Sequence, residues 1–399
     1  MNSSSTPGRP LNKTVELCPP SGIRRFFDIA RQMEGVIALG VGEPDFVTPD
    51  VIRNSGVKAI EDGITGYTSN SGLLELRNEI CAYLHSTYGM GYSAENECLI
   101  TVGVSEGLDL ALRVLLNPGD EVIVPSPCYV AYLPGIEFVG GVPVVVETAA
   151  ENGFKIDTEA VERAITTQTK ALLIASPANP TGAVQPVDVL QELVQIAIRH
   201  DLYIISDEIY ERLAYDSPTM CMASLQGARN RTVVLNGFSK SHAMTGWRVG
   251  YCCGPENIIA LMTRVHQYTM LCAPHMSQIA ATTAMRHGDA AVSAMIADYR
   301  ERRSVFVAGL NKLGLECRMP GGAFYAFPSI RSSGLSSQDF AEKLLFEEKV
   351  AVVPGDVFGP GGEGHIRCSY AASVASLNEA LKRMELFLSR YRPLGHSSL

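Results

Sequence analysis

The chain has 399 residues, 46% of them hydrophobic and 19% charged, with a formal net charge of −9. That length fits a large and a small domain rather than one core, and the acidic balance without any basic run argues against a nucleic-acid or anionic-membrane surface. No apolar stretch reaches membrane-spanning length, and the start, MNSSSTPGRP, is a polar arm rather than a secretory signal or an Arg-rich transit peptide. The ten cysteines are scattered without C-x-x-C spacing. A reduced, cytoplasmic protein is therefore expected, with no metal site and with cysteines serving as small core residues.

In chain order, residues 15–33 carry an amphipathic pattern that predicts a short helix. A strand-like run, Val36 to Val41, leads into Gly42-Glu43-Pro44-Asp45-Phe46, where Pro44 stops any helix and Gly42 permits close approach of a ligand. From these residues alone a simple turn is the readier reading. From Leu99 the pattern becomes strand–helix–strand: Leu99–Val102, then a helix opened by Gly103-Val104-Ser105, then a strand at Glu121–Val124. A glycine-led helix start presents free N–H groups and the positive end of the helix dipole, a ready anion site.

Lys170–Ser176 runs into Pro177-Ala178-Asn179-Pro180-Thr181-Gly182, and Leu202–Ser206 runs into Asp207-Glu208-Ile209-Tyr210. An intervening helix at Val187–His200 puts these strands in βαβ crossovers, hence in a mainly parallel sheet. Ligands of such sheets gather beyond the carboxyl ends of the strands. Ser105, Asn179, Asp207 and Lys240 all stand just after apolar strand-like runs. Past Tyr251 the patterns are helical, with Arg300, Arg302 and Arg303 expected on the solvated face of a long helix from about Ala290 to Leu313. Strands at Gly321–Phe327, Ala351–Gly355 and His365–Tyr370 then alternate with helices at Gln338–Glu348 and Val374–Arg390, as in a smaller α+β domain.

The chemistry centres on Asn236–Tyr251, NGFSKSHAMTGWRVGY, which follows the buried strand Thr232–Leu235. A lysine at a strand end, partly desolvated, becomes a neutral amine able to attack a carbonyl carbon. Arg248, eight residues after Lys240, can hold a phosphate in a forked pair. Together they suggest a phosphorylated aldehyde bound as an imine. This stretch, SK-x5-GWRxGY, resembles the cofactor-lysine signature of the class I/II pyridoxal-phosphate aminotransferases (fold type I).

That resemblance implies an α/β fold: a large domain with a mainly parallel seven-stranded-type sheet flanked by helices, plus the smaller α+β domain. The expected division is 1–45 (arm and part of the small domain), 46–288 (large, cofactor-binding) and 289–399 (small). Lys240 would carry pyridoxal 5'-phosphate and serve as proton carrier, with Asp207 on the ring nitrogen and Tyr210 and Asn179 as donors to the phenolic oxygen. Tyr129 would stack on the ring, and Gly103, Val104, Ser105, Ser239 and Arg248 would hold the phosphate. Tyr67 would reach the phosphate of a neighbouring subunit in a homodimer. Gly42, Tyr129, Asn179 and Arg367 would bind the substrate, Arg367 gripping its carboxylate.

Read without the resemblance, each has a duller role: Asp207 a helix cap, Arg367 a surface ion pair, Asn179 a turn residue, Tyr129 a packed ring. Two positions depart from the family pattern, Gly237 and Leu271, where relatives carry hydroxyl side chains. The expected activity moves an amino group from an L-amino acid, aromatic or acidic, to a 2-oxo acid by ping-pong kinetics. SGIRRFFDIA and RVHQY resemble the aromatic and N-acetyl-diaminopimelate branches, beside aspartate enzymes. A β-eliminating lyase and a regulatory module on the same fold are the alternatives.

Overall fold

The computed structural model describes residues 9–20, 22 and 33–391. Most of the helix expected over residues 15–33, and nearly all of the N-terminal arm, lies outside them. Inside them a five-residue helix, Lys13–Leu17, is capped by the Asn12 side chain.

Strand β1 (Ile37–Ala38) lies apart from the main sheet. That sheet is built from β2 (Cys98–Thr101), β3 (Glu121–Ser126), β4 (Val142–Glu147), β5 (Thr169–Ala175), β6 (Tyr203–Asp207), β7 (Thr232–Gly237) and β8 (Gly250–Cys253). Its order is β2-β8-β7-β6-β5-β3-β4. The strands from β7 to β4 pair parallel, and β8 runs antiparallel to both its neighbours. The mainly parallel seven-stranded sheet is thus as expected.

Central strands such as β5, TKALLIA, are apolar without alternation because helices cover both faces. Leu108, Ala111, Leu112 and Leu115, on one stripe of the helix Gly103–Leu115, pack on Leu235 and Cys252. On the opposite face Leu190, Leu193, Val194 and Ala197 of the helix Val187–Arg199 meet Leu172, Ile174 and Ile204. Strand β4 and the helices Asp50–Glu61 and Leu74–Tyr88 had no counterpart in the sequence reading.

The C-terminal third carries β9 (Tyr325–Ala326), β10 (Val350–Ala351), β11 (Val353–Pro354) and β12 (Ile366–Ser369). β11, β12 and β9 form an antiparallel sheet, while β1 pairs parallel with β10. Tyr299, Phe306, Phe340 and Phe387 fill a core with Phe324 that also takes in Leu39, Tyr210 and Leu213. The N-terminal segment therefore joins this C-terminal core.

The arginines of the helix Asp289–Lys312 correct one expectation. Arg300 is exposed, but Arg302 and Arg303 are buried. Arg303 makes a forked pair with Asp216 at 2.7 and 2.9 Å and lies over the Tyr215 ring. Arg302 is held by Asp45 and Asp298. Each charge enters the interior because acidic partners and aromatic faces meet it there. Among the described residues no helix is long and apolar enough to cross a membrane.

Candidate active site

The carboxyl ends of β5, β6 and β7 and the turn after β2 open on one cleft, closed from the other side by β12 and the segment after β1. Strand β6 ends on Asp207, buried in the cleft floor. Its carboxylate accepts a 2.6 Å hydrogen bond from the Tyr132 hydroxyl and one from the Ile209 N–H. Burial pushes the Asp207 pKa up, and these two donors, with the Lys240 charge, pull it partway back.

Strand β7 ends at Gly237, and the turn after it carries Lys240. The Lys240 Nζ donates a 2.7 Å hydrogen bond to the Gly42 carbonyl. Burial lowers its pKa to about 8, with Glu43 opposing and the Arg367 and Arg248 charges assisting. Only about a fifth of the amine is neutral at pH 7.4, but that is far more than an ordinary lysine offers, and nucleophilic and proton-carrying roles need this fraction. The departure at Gly237 has a steric reason. A Cβ there would lie 2.9 Å from the Gly250 Cα of the adjoining strand, so no serine fits.

At the end of β2 the chain turns through Gly103, with φ +75°, into its helix. Val102 offers that helix no side-chain cap, so its first N–H groups are left open to a ligand. Arg248, itself at φ 51°, sets its guanidinium against Gly103: a Cβ added to that glycine would stand 2.6 Å from Nη2. Val104 follows Gly103, Ser105 is exposed, and Ser239 is buried beside Lys240. Helix start and guanidinium make a cradle fit for an anion.

Strand β12 contributes Arg367, 2% exposed. One of its amino groups donates to Asn179 Oδ1 at 2.9 Å and the other to the Gly40 carbonyl at 2.7 Å, with the Tyr325 and Phe358 rings around it. Its Nε is buried with no partner, an orphan donor that a bound carboxylate could satisfy. The Asn179 carbonyl oxygen is spent on Arg367, leaving its Nδ2 as the donor end. Arg367 is no surface ion pair, and Asp207 no surface cap.

Tyr210 is buried and shares a 2.8 Å hydrogen bond with the Tyr325 hydroxyl, and burial pushes its pKa far up. The Tyr129 ring meets Tyr132 edge-on at 5.6 Å and is close enough to Asp207, Arg367 and Arg248 to feel their charges. The cleft therefore gathers Gly42, Gly103, Tyr129, Asn179, Asp207, Tyr210, Lys240, Arg248 and Arg367. Tyr67 is not brought in: it is 83% exposed. Leu271 is also partly exposed, at φ 68°.

Sequence reasoning missed Tyr132 and Tyr325. Tyr132 opens a helix and Tyr129 lies in the turn before it, so no periodicity in the sequence pairs the two. Tyr325 sat unremarked in the strand pattern GGAFYAF.

A desolvated lysine, a buried acid and a buried arginine at the strand ends of a mostly parallel α/β sheet define an enzyme that handles carbonyl and carboxylate groups. Comparison with known proteins narrows this. The family model of aminotransferases of class I and II matches residues 34–384. The chain is 52% identical over 380 residues to the Bacillus subtilis "Putative aminotransferase YugH", covering 95% of this chain and 98% of that one. It is 42% identical to aromatic-amino-acid aminotransferase 2 of Thermococcus litoralis, again over 95% and 98%. The solved aspartate aminotransferase of Thermus thermophilus with maleate superposes with a TM-score of 0.90 at 39% identity, covering 95% of this chain and 99% of that one. The chain belongs to the class I and II aminotransferases, and it is a transaminase.

Proposed function

We propose that the protein uses pyridoxal 5'-phosphate to move the amino group of an L-amino acid, aromatic or acidic, to a 2-oxo acid such as 2-oxoglutarate by ping-pong kinetics. The observation that carries this reading is the buried Lys240 amine, its pKa lowered to about 8, in one cleft with Asp207 and Arg367. The residues fit the cofactor: the Gly103 cradle with Arg248 suits a phosphate, and the Lys240 amine suits an aldehyde.

When bound, the cofactor supplies an electron-accepting ring that stabilises negative charge developing at the substrate Cα. Asp207, oriented by Tyr132, would hold positive charge at the ring nitrogen. Tyr210 and the Nδ2 of Asn179 would donate to the phenolic oxygen, and Tyr129 would lie on the ring face. Gly103, Val104, Ser105, Ser239 and Arg248 would bind the phosphate. Arg367, aligned by Asn179 and Gly40, would grip the substrate carboxylate in a fork and orient its Cα–H bond. Lys240 Nζ would take the Cα proton and deliver it back as an acid, a role worth roughly 10²–10⁴-fold. Gly42 would face the carboxylate.

The donor class is supported by the names of the aromatic and aspartate relatives. A homodimer in a cytoplasmic setting, with Tyr67 reaching the partner's phosphate, accounts for a tyrosine 83% exposed in one chain. The division 1–45, 46–288 and 289–399 is proposed with it; the shared core of Leu39 with residues 292–388 supports grouping the arm with the C-terminal part.

The test is a donor and acceptor panel run as half-reactions. Purified protein should absorb in the visible, bleach with an aromatic or acidic amino acid and recover with a 2-oxo acid. Absence of bleaching, or release of pyruvate and ammonia with no acceptor, would reject the reading. Sedimentation of the holoenzyme checks the dimer.

A further inference from the structure

Residues 39–48 form a strap across the cleft mouth. At one end Leu39 is fixed between β10 and β12, its N–H donating to Ala351 at 2.8 Å and its carbonyl accepting from Ser369 at 2.6 Å. At the other, the Thr48 hydroxyl donates to the Ala243 carbonyl at 2.6 Å and accepts from Trp247 Nε1. Between these anchors the strap presents the Gly40 carbonyl to Arg367 and the Gly42 carbonyl to Lys240. Among the described residues no backbone–backbone hydrogen bond ties residues 40–48 to the rest of the fold. Its shape must come from side chains.

The side chain that serves is Asp45. Arg302 Nη1 reaches both Asp45 oxygens, at 2.8 and 2.7 Å, while Nε and Nη2 of the same guanidinium fork onto Asp298. The guanidinium also lies 5.0 Å from the Phe46 ring centroid, and Phe46 meets Tyr299 edge-on at 5.3 Å. Arg302 is buried and Asp45 exposed, so the pair is shielded from solvent screening at its arginine end.

We propose that Asp45 and Arg302 are positioning residues: their clamp sets the strap height, and so the aim of Lys240 and Arg367 at the amino-acid substrate. The proposal rests on the transaminase reading. Among the described residues no hydrogen bond joins Gly103 or Arg248 to the strap, so the clamp acts through Lys240 and Arg367 and leaves the phosphate grip untouched.

Asp45→Asn keeps the volume and removes the charge; Asp298→Asn weakens the same arginine from its other side and leaves the strap bond in place. Exchange of the Leu39 amide, the strap N–H bonded to Ala351, read by mass spectrometry on the holoenzyme, should quicken in Asp45→Asn and not in Asp298→Asn. The KM for the amino donor should rise about 10-fold or more in Asp45→Asn, since small misplacements of reacting groups cost that much, with cofactor affinity unchanged in a spectroscopic titration. Asp45→Glu should recover part of the loss, and takes the place of Asp45→Asn if that variant does not fold. Unchanged strap exchange, an equal KM rise in Asp298→Asn, or a matching loss of cofactor affinity would overturn the proposal. A wild-type protein that binds cofactor without being bleached by any amino acid would instead defeat the transaminase reading.

Discussion

The Tyr132 hydroxyl donates a 2.6 Å hydrogen bond to the Asp207 carboxylate, and both side chains are buried. Burial raises the Asp207 pKa and Tyr132 is the leading influence that lowers it. Tyr132→Phe should therefore leave Asp207 harder to ionise. A hydrogen bond to a charged group is worth about 1.5–3 kcal/mol, so kcat/KM should fall about 10- to 100-fold. Because the carboxylate is the working form, the acidic limb of the pH profile should move to higher pH. A profile that keeps its position would remove Tyr132 from this role.

Lys240 carries a cost that stability measurements can read. Its folded pKa of about 8 lies below the ordinary 10.5, so the unfolded chain binds more protons between those values. Stability thus rises as pH climbs from 8 to 10.5, and the full penalty of a buried ammonium is present below pH 8. In cofactor-free protein, Lys240→Met should unfold about 1–3 kcal/mol less readily below pH 8. The gain should fade toward pH 10.5, where the loss of the Gly42 hydrogen bond remains. Denaturant titrations at pH 7 and 10.5 check it, and a gain equal at both would contradict the burial argument.

Lys240 and Tyr132 stand on opposite sides of what local pattern reveals. Asn179, Asp207 and Lys240 were legible because each ends or closely follows an apolar strand of a mainly parallel sheet, and topology alone sends such residues to one edge. The gap at Gly237 was visible as a departure, but its cause, the Gly250 backbone, belongs to a neighbouring strand. Arg302 misled for the same reason. Its helix has charged residues all along it, and the partner that draws it inside, Asp45, is 257 residues away. Helix periodicity reports which face is apolar; it does not report which charges find buried partners. Strand β4 was missed too, and its burial is mixed rather than continuous.

Arg367 offers a geometric test of substrate binding. Its planar fork is shared between Asn179 and Gly40 and lies against the Tyr325 ring, an arrangement a lysine cannot reproduce. Arg367→Lys should raise the amino-acid KM by about 10- to 100-fold, the loss of one forked charged pair, with visible absorbance and cofactor affinity retained. Equal KM values in variant and wild type would take the carboxylate away from this arginine.

The cradle at Gly103 can be tested by adding a single carbon. At φ +75° an L side chain costs about 1–2 kcal/mol, and the new Cβ would stand 2.6 Å from Arg248 Nη2. The guanidinium is the movable partner, so it should swing out of line with the helix N–H groups. Gly103→Ala is therefore expected to weaken pyridoxal phosphate binding at least about 10-fold in a spectroscopic titration, as the phosphate forfeits a charge-assisted hydrogen bond. Gly246 is the matched control. It lies two residues before Arg248, and a Cβ there meets nothing within 4 Å. Gly246→Ala should leave the affinity as it is. If Gly103→Ala bound the cofactor as tightly as Gly246→Ala, Arg248 could not be the group that this glycine leaves room for.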